Sequence, residues 1–242
     1  MQLIVIPVLK DNYAYLLRDD ATNTTIVIDP SEADPILKEL KKHSWMLTHI
    51  INTHHHWDHT DGNVELKQQT SCQVIGYKGD AHRIPAIDET WEDKGSYRLG
   101  RFHFDVRHTP GHTLGQTLLH VPELNALFCG DTLFSLGCGR LFEGTPAQLF
   151  ASLQTIATYP DDVKLYCGHE YTLANGAFAT MVEPNNKDLM AYLANATTLR
   201  EQGLPTIPTT VGIEKRCNPF LRVSNVDDFA RLRTMKDRFK LS

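Results

Sequence analysis

No run in this chain of 242 residues approaches the roughly 18 consecutive apolar residues that a membrane-spanning helix needs, which excludes a helical membrane protein. The apolar run at the N-terminus, Leu3 to Leu9, is interrupted by Pro7, follows no basic residue and lacks a small-residue cleavage site. It is expected to be a strand rather than a secretory signal. Cysteine is scarce and irregularly spaced: Cys72, Cys129, Cys138, Cys167 and Cys217 are odd in number and form no Cys-x-x-Cys pair. That argues against a disulfide framework and against a cysteine-based zinc site, and a reducing, cytoplasmic setting fits best. A Gly-x-Ser-x-Gly elbow is also missing, so the sequence offers no serine nucleophile of that type. Solenoid repeats and low-complexity linkers are absent.

Positive charge is outweighed by negative over most of the chain. Net charge is −5, but residues 215–242 hold eight Lys or Arg against three Asp, a local +5, which leaves −10 for residues 1–214. An acidic body with a short basic tail and no recognised nucleic-acid motif is a poor match for nucleic acid. The basic tail fits either a solvated basic helix face, which charge alone favours, or an anionic partner near the C-terminus. With 41% hydrophobic and 22% charged residues, the chain is long and apolar enough for one large core or a medium domain with a small companion.

The first 169 residues alternate short β-rich runs with turns and a few helices. TTIVID ends at Asp29-Pro30, and DPILKELKKH then carries Ile36, Leu37 and Leu40 at helical spacing. HIIN (49–52) reads as a short buried strand. RFHFDVRH (101–108) alternates strictly, TLLHV and ALFCG flank a turn, and VKLYCG (163–168) is a further strand. In TPAQLFASLQTIATYP, Thr145 is placed as N-cap with Pro146 first in the helix and Gln148 as capping-box partner. After residue 170 the β signal fades. LMAYLANATTLREQG is expected to end at Gly203, and SNVDDFARLRTMKDRF to begin with a Ser224-x-x-Asp227 cap. The spacing predicts a catalytic domain over 1–169 and a small helical domain over 170–242.

THHHWDHTDGN (53–63) follows HIIN directly and puts four histidines and two aspartates between His54 and Asp61. Alternation in an extended stretch sends His54 and His56 to one side and His55 to the other. His54 and His56 can therefore share a metal, and Asp58 and His59 suit a second one nearby, whereas His55 and Asp61 are not expected to be ligands. Further donors recur where strands give way to loops: His112 in TPGHT, Asp131 in CGDT and His169 in CGHE. Imidazole with carboxylate and no thiolate suits zinc, iron or manganese in a catalytic rather than a structural site. Seven ligands for two ions require Asp131 to bridge, with a bridging hydroxide completing the coordination.

THHHWDH, TPGHT, CGDT and CGHE in this order resemble the metallo-β-lactamase superfamily. IPVLKDNYAYLL, GDTLFSLGCGRLFEGT, YCGHEYT, NPFLRV and RTMKDRF narrow the resemblance to glyoxalase II, the hydroxyacylglutathione hydrolases. The resemblance implies an α/β fold: an αββα metallo-β-lactamase sandwich with a small C-terminal α-helical domain. It implies one metal on His54, His56 and His112, a second on Asp58, His59 and His169, and Asp131 between them. It also implies zinc first, with iron or manganese as alternatives, and substrate contacts from Arg140, Tyr171, Arg233 and Lys236. The sequence departs from many relatives at Trp57 and Gln116, where histidine is common, and at Phe142, where some have tyrosine.

The tail supports this reading independently. Arg233 and Lys236 are spaced i, i+3, so their like charges repel by a few tenths of a kcal/mol. A glutathione carboxylate between them would relieve that. The expected reaction is hydrolysis of S-(2-hydroxyacyl)glutathione by hydroxide made available at neutral pH by two metals, with Asp58 and Asp131 as catalytic ligands and Asp58 orienting the water; Asp29, at a strand end, is a less favoured candidate to support the ligands. A monomer acting on a small glutathione thioester is expected, with no nucleic acid and no membrane. The alternative is another glutathione-linked enzyme of this superfamily, such as a mononuclear-iron persulfide dioxygenase.

Overall fold

The computed structural model describes residues 1–240, so the last two positions of the 170–242 span lie outside the described residues. The chain divides into two compact units, the first Met1–His108 with Gly115–Gly130, the second Thr109–Leu114 with the residues from Asp131 onward.

In the first unit, β1 (Gln2–Val8), β2 (Asn12–Asp19) and β3 (Thr24–Ile28) form an antiparallel meander. After α1 (Ala33–His43), β4 (His49–Ile51) returns parallel to β3. Two short helices, α2 (Trp57–Thr60) and α3 (Asn63–Thr70), lead to β5 (Gln73–Tyr77), and β6 (Glu89–Trp91) closes a six-stranded sheet ordered β1 to β6. β3 is buried at every position, and its last three residues, Ile26, Val27 and Ile28, are apolar, as an inner strand covered on both faces should be. One face, with Val27, Ile50 and Val74, packs on Ile36, Leu40 and Leu66 of the helices. The α1 helix stops at Ser44, whose φ of 57° breaks the helical path.

β7 (Ser96–Leu99), β8 (Phe102–His108), β9 (Thr117–Val121) and β10 (Ala126–Gly130) follow as antiparallel neighbours. The alternation of β8 is realised: Phe102, Phe104 and Val106 are buried, and His103, Asp105 and Arg107 are half-exposed. The buried side meets the first sheet through Trp91 against Phe104 (ring centroids 5.4 Å) and Tyr15 against Phe128 (5.2 Å). Two sheets with a shared aromatic core thus form within one unit.

The second unit contains the hairpin β11 (Leu133–Phe134) and β12 (Gly137–Cys138), helix α4 (Pro146–Ala157), and β13 (Lys164–Cys167). Helices α5 (Thr172–Val182) and α6 (Lys187–Glu201), strand β14 (Thr209–Thr210), and helices α7 (Val211–Cys217), α8 (Pro219–Arg222) and α9 (Val226–Arg238) complete it. The Thr145 capping box on α4 forms in both directions with Gln148. Helix α6 ends at Gln202 followed by Gly203 (φ 72°), and Leu204 N–H closes back on Leu199 O at 2.9 Å. The cap of α9 is a correction: Asn225, not Ser224, occupies the N-cap and accepts from Asp228 N–H. Asn caps at least as well as Ser, and this register brings both Asp227 and Asp228 into the positive first turn.

Candidate active site

The donors of the first unit are organised by Asp29, which ends β3 in a left-handed backbone conformation (φ 52°). Asp29 accepts from Thr53 N–H (2.8 Å) and Thr53 Oγ1 (2.6 Å), and from His59 Nδ1 at 3.0 Å. A carboxylate can only accept, so His59 carries its proton on Nδ1 and keeps a lone pair on Nε2. The Thr53 hydroxyl has spent its proton on Asp29, so it accepts from His54 Nδ1 at 3.1 Å, and His54 Nε2 also carries a lone pair. Both imidazoles are buried. The His54 ring lies 4.7 Å from that of His56 and 4.2 Å from that of His59, and ligand atoms of Asp29, His54 and His59 fall within 4.8 Å of one another. Asp58 is braced by Asn12 Nδ2, which donates to its carbonyl (3.0 Å) and its carboxylate (3.1 Å), while Ser31 Oγ donates to the same carbonyl.

His55 turns elsewhere and donates from Nδ1 to the buried Asp80 at 2.9 Å, beside Arg83. Trp57 and Asp61 are exposed, and Gln116 is buried with its amide on Thr117 O.

In the second unit, His112 donates from Nδ1 to Arg140 O at 2.9 Å, which leaves the Nε2 lone pair facing Asp131 Oδ2 at 3.4 Å. Asp131 Oδ2 also lies 3.3 Å from His169 Nε2. A lone pair facing a carboxylate oxygen is repulsive unless a cation sits between them. Two donors on one tetrahedral ion at bonds of ~2.0–2.1 Å stand about 3.3 Å apart, so the spacing fits ligands of a divalent metal. Ser152 Oγ of α4 donates to Pro110 O, which anchors the loop carrying His112. Gly139 is required by close approach, because a Cβ there would lie 2.1 Å from Asp131 O. The Cys167 thiol donates to His169 O at 3.3 Å, and its burial pushes its pKa up to about 12. Tyr171 stacks on His169 at 4.6 Å with the rings 6° from parallel.

A cavity of about 450 Å³ opens in this unit, with His112 and Asp131 lining it together with Arg140, Tyr171, Arg233 and Lys236. All four residues expected to meet substrate therefore share one cavity with two expected metal donors. The three cations differ. Arg140 is exposed, 3.8 Å from Asp237. Arg233 is only 4% exposed, donating to Cys138 O and Asp237 at 2.9 Å each with its guanidinium over Phe220. Its Nε is buried without a hydrogen-bond partner among the described residues. Lys236 donates to Ala174 O at 3.1 Å and lies over Phe178 and Phe239. Burial, then the charges of Arg233 and Arg140, lower its pKa to about 8. The repulsion expected from the i, i+3 spacing is present, but desolvation outweighs it. Phe142 is exposed with its ring 5.2 Å from His112. Phe134, Cys138 and Asn175 also line the cavity and were not found by sequence reasoning. The glycines flanking Cys138 are a signal for that residue alone.

Two family models match this chain. Residues 9–169 match the metallo-beta-lactamase superfamily, and residues 170–239 match the hydroxyacylglutathione hydrolase C-terminus. A protein of Rhodospirillum rubrum named hydroxyacylglutathione hydrolase is 46% identical over 248 residues, covering 97% of each chain. One of the same name from Pelagibacter ubique is 45% identical over 239 residues, covering 99% of this chain and 100% of its own. Among solved structures, ETHE1 from Myxococcus xanthus superimposes with a TM-score of 0.74 at 24% identity, covering 97% of this chain and 90% of the other. The BLEG-1 B3 metallo-beta-lactamase gives 0.72 at 24% identity, covering 92% and 100%. Both share the metallo-β-lactamase fold with this chain. No helix among the described residues is long and apolar enough to cross a membrane.

Proposed function

This chain belongs to the hydroxyacylglutathione hydrolase family of the metallo-β-lactamase superfamily, and on that premise we propose that it hydrolyses S-(2-hydroxyacyl)glutathione, with S-D-lactoylglutathione as substrate, to glutathione and a 2-hydroxy acid. The observation that carries the reading is the cavity in which metal-type donors, His112 and Asp131, share walls with Arg140 and Lys236. A thioester that is anionic at its ends and uncharged at its reacting carbon matches that distribution.

Divalent metal use follows from the fold and its His/Asp clusters. We assign two ions, zinc first and iron or manganese as alternatives. His54, His56 and His112 would hold one, and Asp58, His59 and His169 the other, with Asp131 available to both. When bound, these ions supply an activated water at neutral pH and polarise the thioester carbonyl. The protein's own contribution is placement. Asp29 and Thr53 fix the proton positions of His54 and His59, so that both present Nε2 without reorganisation. Arg140 O does the same for His112. Arg140, Arg233 and Lys236 hold the glutathione carboxylates, and Tyr171 and Phe134 wall the cavity beside His169. Hydroxide adds to the carbonyl carbon, the C–S bond breaks, and glutathione leaves as the thiolate. The chain acts as a monomer in the cytoplasm on this reading, without nucleic acid or membrane.

The test is hydrolysis of S-D-lactoylglutathione by purified protein, with wild type compared with Asp131→Asn and His54→Ala for both kcat and metal content. Variants that retained full metal and wild-type kcat would sink the dinuclear assignment. Turnover that required oxygen would favour the dioxygenase alternative.

A further inference from the structure

Between the metal donor Asp131 and the cation Arg140 runs the β11–β12 hairpin, whose residues Phe134 and Cys138 form part of the cavity wall. Its turn is not relaxed. Leu136, fully buried, has a φ of 60°, a left-handed conformation that a leucine adopts only under constraint. The constraint comes from a buried polar cluster in the helices that follow. Glu214 of α7 accepts from Leu136 N–H at 2.9 Å, from Thr209 Oγ1 at 2.8 Å and from Asn218 Nδ2 at 2.9 Å. Asn218 Nδ2 also donates to Phe134 O at 3.2 Å and Gly137 O at 3.0 Å. Glu214 and Asn218 are both completely buried, and neither lines the cavity. From the cavity side, Asn175 Nδ2 donates to Ser135 O at 3.1 Å, and it lies so close that a Cβ on Gly137 would come within 2.4 Å of it.

A fully buried carboxylate is costly unless it has a task, and here its partners are the backbone amide of a strained turn and the side chain that ties both strands of the hairpin. We propose that Glu214, acting with Asn218, is a positioning residue for substrate: it holds the Ser135–Leu136 turn and thereby sets the wall of the cavity that receives the glutathione moiety. The inference deepens the thioesterase reading and rests on it for the identity of the ligand. The α7–α8 segment thus shapes the glutathione site without touching it, through the hairpin that joins Asp131 to Arg140.

Three variants test the claim. Glu214→Gln keeps an oxygen for Leu136 N–H and Asn218, and its amide can donate to the Thr209 hydroxyl; its KM stays within about twofold of wild type. Glu214→Leu leaves the turn amide unsatisfied and raises KM for S-D-lactoylglutathione about tenfold, while kcat changes by less than about threefold and metal content stays at the wild-type value. Asn218→Ala gives an intermediate rise in KM, and it carries the test if Glu214→Leu does not fold. Amide hydrogen exchange at Leu136 is faster in Glu214→Leu than in Glu214→Gln, a readout independent of catalysis. Unchanged KM in Glu214→Leu and Asn218→Ala, or Glu214→Gln as impaired as Glu214→Leu, overturns the positioning role. A wild-type protein inactive on the thioester but with the expected exchange pattern would instead overturn the thioesterase reading alone.

Discussion

The metal-donor loop of the first unit and the cationic cavity of the second are built on opposite electrostatic plans. In the loop, His54 and His59 are backed by acceptors, Thr53 and Asp29, which settle their protons in advance. In the cavity, Arg233 and Lys236 are held by backbone carbonyls, Cys138 O and Ala174 O, and repel one another. The loop thus presents the Nε2 atoms of His54 and His59 with their protons already placed, while the cavity keeps an excess of positive charge for an anion to neutralise. Catalysis and recognition should accordingly fail in different ways.

The largest effect is expected in the donors. Asp131→Asn or His54→Ala should lower kcat by about a thousandfold or more, some 4 kcal/mol of barrier, together with loss of bound metal. Next comes the acceptor behind the loop. Asp29→Asn removes the carboxylate that fixes His59 and should weaken metal affinity by about 10–100-fold, measured by competition with a chelator. A cavity cation should behave otherwise. Lys236→Ala should raise KM for S-D-lactoylglutathione about tenfold with metal content unchanged, and have little effect on a thioester lacking the peptide. Equal effects on both substrates would erase the division between the two regions.

Two pH dependences sharpen it further. Lys236 titrates near 8, so its charge, and the binding it contributes, is present below that pH and fades above it. KM should rise from pH 7 to 9 in wild type, and this rise should be absent in Lys236→Ala. The smallest effect concerns stability. Burial raises the Glu214 pKa from 4.5 to about 6, so the native state favours its protonated form. Its contribution is most favourable below the unfolded pKa and is lost as pH rises through 6, on the order of 2 kcal/mol in all. Urea denaturation should show Glu214→Gln losing less stability than wild type between pH 4.5 and 7.

The two regions also differed in how far they could be read in advance. His54, His56, Asp58 and His59 lie close together in sequence, and the alternation of an extended stretch separates His55 from its neighbours; His55 donates to Asp80 instead. Phe102, Phe104 and Val106 declared their face by alternation. The supports were not legible, because they come from distant sequence. Asn12 and Ser31 bracing Asp58, and Glu214 holding Leu136, lie 46, 27 and 78 positions from their partners. Arg233 reads as a substrate-binding helix cation, and only its packing against Phe220 and Cys138 reveals that it is buried with both terminal nitrogens already engaged. The α9 cap was missed by one residue because Ser224 and Asn225 are both good caps, and local sequence does not rank them.

The most direct measurement is metal stoichiometry by mass spectrometry on the purified protein, alongside anaerobic hydrolysis of S-D-lactoylglutathione. Two divalent ions per chain with oxygen-independent turnover, both abolished in Asp131→Asn, is the result expected here. A single ion with full activity, or two ions with no thioester hydrolysis, would contradict it.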